Sequence, residues 1–106
     1  MATRARFLVL WGTPQDPAEF ERHYRDVHIP LARKLPGLRR YSLSRNAMPI
    51  RGGDAYYLVA ELDFDDITSL REAFGSPEGR ATAADVAVLA AGASVHSMVY
   101  ELEDVG

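Results

Sequence analysis

The chain contains no cysteine. That absence excludes a disulfide framework, a thiolate metal site and a cysteine nucleophile together. It also lacks any apolar run long enough to span a bilayer, and its N-terminus, MATRARFLVLW, turns polar too soon for a secretory signal peptide. A cytoplasmic protein is therefore expected. Positive charge is in the minority, with 12 Lys and Arg against 15 Asp and Glu for a net charge of −3. Basic residues form no long run, so neither a nucleic acid nor a membrane surface is expected as a partner. Glycine is badly placed for phosphate binding. Arg51-Gly52-Gly53-Asp54 opens a strand rather than a helix, so it is a turn and not a dinucleotide or phosphate loop. No G-x-S-x-G elbow supports a serine nucleophile, and Asp65-Asp66 reads as a helix start rather than a catalytic carboxylate pair.

What is present is one domain, residues 1–106, of which 47% is hydrophobic, enough to bury its own core. Its most informative stretch is Asp16 to Tyr41, DPAEFERHYRDVHIPLARKLPGLRRY. Asp16 is a natural N-cap, Pro17 suits the first helical position, and Glu19 is placed to reach back to the cap in a capping box. Phe20, Tyr24, Val27, Leu31 and Leu35 then recur at three- and four-residue spacing and form one apolar stripe. At about 100° per residue, His28 lies about 60° from the centre of that stripe and His23 about 80° away on the other flank. Pro30 cannot donate to the carbonyl of Asp26 and its ring pushes Ile29 out of helical geometry, so a kink or break is expected beside His28. His23 and His28 are five apart, which is not the i,i+4 spacing of a helical metal pair, and no metal site is expected.

The rest of the chain supplies the fold. Arg4 to Trp11 reads as a strand with Phe7, Val9 and Trp11 on one face and Leu8 and Leu10 on the other. Pro36-Gly37 ends the helix before a second strand near Leu38 to Arg45, and Ala55 to Phe64 forms a third, joined to it as a hairpin. A short helix from Asp65 or Asp66 to Gly75 precedes an alanine-rich helix opened by Ser76-Pro77-Glu78 and ending about Gly92, and a last strand runs from Ala93 or Ser94 to Glu103. The order β-α-β-β-α-β predicts an α+β, ferredoxin-like fold: a four-stranded antiparallel sheet with its helices on one face. Leu8, Leu10 and Val59 would then lie in water on the other face. Leaving several such side chains exposed forgoes several kcal/mol at roughly 25 cal/mol per Å², which predicts a homodimer through that open face.

Phe20, Tyr24, His28, Pro30, Leu31, Leu35, Pro36, Gly37 and Leu38, followed by Tyr41, resemble the signature of the EthD family: an aromatic-rich helix running into His-x-Pro-Leu and then Leu-Pro-Gly-Leu. His23 stands where the family more commonly has an aromatic. The resemblance implies a dimeric α/β barrel, with a cavity for a small apolar or aromatic molecule between the sheet and helices of each protomer. Relatives on this barrel include cyclases, isomerases, decarboxylases and cofactor-free oxygenases, so no cofactor is expected.

Within such a cavity His28 is the candidate acid or base, and Tyr24, one turn earlier, the candidate hydrogen-bond partner of a substrate oxygen. Tyr41 and Tyr57 would orient the ligand, with Phe7, Trp11 and Phe20 as an apolar or stacking wall. The residues alone favour a structural His28 that hydrogen-bonds a carbonyl freed by Pro30, and it is the resemblance that brings the acid–base role level with it. His96, in the last strand beside Met98 and Tyr100, reads as a structural or interface residue. A non-catalytic binding protein of a degradation pathway is the alternative function. A haem-binding barrel with His28 or His96 as ligand is another.

Overall fold

A computed structural model describes residues 4–106 of the chain. Strand β1, Ala5–Trp11, is followed by helix α1, Pro17–His23, a π-helical turn at Tyr24–His28, and a short helix α2, Ile29–Ala32. Strands β2, Arg40–Ala47, and β3, Tyr56–Phe64, come next, then helices α3, Ile67–Gly75, and α4, Pro77–Leu89, and finally β4, Val95–Glu101. The strands pair antiparallel in the order β2-β3-β1-β4, so β1 and β3 are central. This is the expected ferredoxin-like architecture. The second strand begins two residues later than its sequence pattern predicts because Leu38 packs against the core and Gly37, at φ 75°, completes a turn that only glycine adopts without strain. Among the described residues no helix is long and apolar enough to cross a membrane.

Alternation along the strands places Ala5, Val9 and Trp11 of β1, with Leu58, Ala60, Leu62 and Phe64 of β3, against the helices. Phe20 and Tyr24 descend onto this layer from the first helical segment, Leu70 and Ala73 from α3, and Leu89 from α4. The helix starts are capped by the residues the sequence marks: Asp16 accepts from the Glu19 N–H at 3.2 Å and Asp66 from the Ser69 N–H at 2.7 Å. The capping box at Asp16 is only half formed. The Glu19 side chain turns instead to Arg22, 3.0 Å away at Nε, one turn along the same helix.

Pro30 does not break the helix. Ile29 stays helical at φ −58°, ψ −47°, and its N–H reaches back five residues to the carbonyl of Tyr24. A proline ring clashes with the carbonyl four residues earlier, and a widened turn relieves that crowding while the chain continues in the same direction. The open face of the sheet is also less bare than its pattern predicts. Leu8 and Leu10 are half-buried, and Val59, at 8% exposure, is covered within the protomer; Met98, at 48%, is the more open apolar group there. At one end of this face Arg6 forks onto Asp63, at 2.6 and 3.0 Å, and reaches Glu61 at 3.1 Å.

Candidate functional site

Between the sheet and the helices lies a cavity of about 210 Å³. Phe7, Val9 and Trp11 of β1 and Leu62 of β3 form its floor, and Tyr24 and His28 enter from the first helical segment. Val86 and Thr82 of α4 and Phe74 of α3 close the helical side, while Tyr41 and Ser97 bound it on β2 and β4. Of the residues singled out in the sequence, His28, Tyr24, Phe7, Trp11 and Tyr41 therefore converge on one chamber. Phe20 and Tyr57 do not line it. Phe20 packs behind Tyr24, with ring centroids 5.7 Å apart, and meets the edge of Trp11 at 5.3 Å. The Tyr57 hydroxyl donates to Glu21 at 2.8 Å, on a carboxylate that Arg45 also holds. His96 lies opposite Leu10 in the register of β4 with β1, on the sheet face turned away from the helices.

His28 is 6% exposed and meets a carboxylate that the sequence pattern did not single out. Asp85 of α4, itself 7% exposed, takes the His28 Nδ1–H at 2.8 Å on one oxygen and the His23 Nε2–H at 2.7 Å on the other. A regular helix would set residues five apart about 140° from each other. The π-helical turn stacks them, so two imidazoles that the spacing had separated share one acid. The expectation that His28 binds a carbonyl freed by Pro30 is replaced by this side-chain contact. A signal for Asp85 does exist in the sequence: Gly79, Thr82, Asp85 and Leu89 recur on one helical face, all four are buried, and a lone carboxylate on such a stripe requires a partner.

This arrangement fixes the chemistry available to His28. A buried carboxylate is tolerable when hydrogen-bond donors satisfy it, and here each oxygen has an imidazole N–H. The acid thereby holds the His28 proton on Nδ1 and leaves Nε2 with its lone pair. His28 lines the cavity, and among the described residues no side-chain nitrogen or oxygen sealed from solvent lacks a partner. Burial pushes the basicity of His28 down, with Asp85 opposing it, so the ring is neutral near pH 7 and ready to accept a proton. Beside it, 5.0 Å between ring centroids, stands Tyr24, whose hydroxyl is 2.6 Å from that of Tyr41. Burial drives the Tyr24 phenol well above its usual range and pushes that of Tyr41 up as well, so both stay protonated. One donates to the other and the second proton of the pair is left for a ligand oxygen. Among the described residues no group of three or more His, Asp or Glu side chains forms a metal site.

A family profile described as the EthD domain matches residues 13–93. The chain belongs to the EthD family. An 11.0 kDa protein from the thcB-thcC intergenic region of Rhodococcus erythropolis is 34% identical to this EthD protein over 87 residues, 82% of this chain and 84% of that one. Among solved structures, an EthD family protein of Bacillus halodurans superposes with a TM-score of 0.81 at 31% identity, covering 94% of this chain and 99% of that one. The cofactor-independent oxygenase SnoaB of Streptomyces nogalater is similar in fold at a TM-score of 0.66 and 22% identity, over 98% of this chain and 97% of that one. In this EthD protein the family signature is the segment that carries Tyr24 and His28 into the cavity and supplies Pro30 at the exit of the π-helical turn.

Proposed function

We propose that this EthD protein binds a small aromatic or polyketide-like molecule in the cavity and moves a proton on it without a cofactor, using His28 as acid and base. The observation that carries the reading is the His28 imidazole, held by Asp85 through Nδ1, in the wall of an apolar chamber. Nε2 would take a proton from a carbon next to a carbonyl. As that C–H bond breaks, its electron pair passes onto the carbonyl oxygen, where the free proton of the Tyr24–Tyr41 pair stabilises the developing charge. His28 then returns the proton, at the same carbon in exchange or at another in isomerisation or cyclisation. The same step leaves an electron-rich enolate, the kind of substrate on which a cofactor-free oxygenase depends, and SnoaB, a cofactor-independent oxygenase of this fold, agrees with that chemistry.

The protomer is proposed to pair with a second copy through the open sheet face, where Leu8, Leu10 and Met98 remain partly exposed.

The test is deuterium exchange, followed by NMR, into a panel of enolisable aryl ketones and hydroxylated quinones. Wild type is expected to accelerate exchange in at least one, and His28→Gln to lose at least about 100-fold of that rate while still binding. Ligands that bind wild type with no exchange in any of them would instead favour a binding protein.

A further inference from the structure

Arg25, Arg33, Arg39 and Arg40 lie within one stretch, residues 25–40, of a chain of net negative charge, and they border one groove. It has a volume of about 440 Å³, runs between the helical segment and the start of β2, and is floored by Ile29, Leu38 and Leu43; no acidic residue lines it. Partners for these cations are few. Arg39 is forked onto Asp65 at 3.1 and 2.8 Å. Arg25 lies 3.9 Å from Glu21, a carboxylate already engaged by Arg45 and Tyr57. Arg33 has no hydrogen-bonded or ion-paired side-chain partner among the described residues, whereas Arg40 stands opposite Asp63 in the pairing of β2 with β3 and its charge helps hold that carboxyl below its usual range.

A merely solvated basic face would not need an apolar floor, nor a wall in common with a buried chamber. Tyr41 provides that wall: it lines both the groove and the cavity that holds His28. We propose that the groove holds an anionic group, carboxylate or phosphate, of the same molecule whose apolar part occupies the cavity. Guanidinium forks suit both groups, and the neighbouring apolar floor would lower the local dielectric around the pairs they form. The inference rests on the cavity being a ligand site, and it narrows the ligand class to amphipathic acids and phosphate esters with an aromatic end.

Trp11 is the only tryptophan in the chain and lines the cavity, so its fluorescence reports occupancy. The probes are phenylbutanoate, phenylbutyl phosphate and phenylbutanol, titrated at low and high salt into wild type and an Arg25→Gln/Arg33→Gln double variant. Both positions are exposed, so the variant is expected to fold, which circular dichroism checks. In wild type at low salt at least one anion should bind about tenfold more tightly than the alcohol. Salt should shrink that advantage, the double variant should abolish it, and the alcohol's affinity should be unchanged. The better of the two anions identifies the group. Equal binding of alcohol and anions, or an anion advantage that survives in the double variant, overturns the groove assignment and leaves the cavity reading standing. No response to any probe overturns both.

Discussion

At the residue scale the decisive group is Asp85, because it serves two histidines with one charge. Asp85→Asn keeps the shape but presents an amide N–H to one imidazole, which must then change tautomer or lose its partner. A stability loss of about 1–3 kcal/mol is expected in urea denaturation. Asp85 raises the basicity of His28 against the larger effect of burial, so NMR titration of the Asn variant should show His28 protonating at lower pH than in wild type. The same burial links stability to acidity. His28 binds a proton less readily folded than unfolded, where its midpoint is about 6.5. The unfolded chain therefore takes up more protons as pH drops below about 6.5, and stability present above that pH is lost on going down toward the folded midpoint. Urea denaturation across that window should fall off less steeply in His28→Gln than in wild type; equal slopes would remove His28 from the account.

At the scale of elements, the approach of α4 to α3 sets where Asp85 stands. Gly79, in the first turn of α4, passes so close to α3 that a Cβ would lie 2.3 Å from the Ala73 carbonyl oxygen and 2.6 Å from the Phe74 Cα. These are backbone atoms and cannot swing aside. Gly79→Ala is expected to cost about 1–3 kcal/mol and to disturb the cavity through Phe74, read as a lower melting temperature together with weaker ligand binding. The strands, caps and helix starts were legible because each depends on local chemistry: alternation in β1 and β3, Asp16 and Asp66 as caps, glycine at the turn. The partnership of His23 with His28 was not legible. Helical periodicity assumes a constant turn, and Pro30 makes this helix change its turn just where the two histidines lie. Asp85 comes from an element more than 50 residues away in the chain, and only the packing of α4 on the first helical segment brings it there. The arginine groove was hidden for a related reason, since charge counts along a sequence do not record which residues share a surface.

At the scale of the whole molecule the protomer is a slab, 43 × 37 × 16 Å, one layer of helices on one sheet. Its cavity lies between sheet and helices, and the opposite face is the one through which the proposed pairing would run. Leu10→Glu puts a charge at the middle of that face without touching the chamber. Light scattering should find a dimer in wild type and a monomer in the variant, and a monomeric wild type would sink the proposed pairing.

Strand order has a consequence for how the protein is made. β1 sits in the interior of the sheet between β3 and β4, and its register ties Ala5 to Glu101. β1 must therefore wait for β4, with one long edge unpaired while the elements between them are synthesised. The chamber shares this timing, since Ser97 is part of its wall. Neither sheet nor chamber can close until β4 has been made, so a chain that stops short of β4 keeps a sticky strand edge exposed and is the form in greatest need of a chaperone.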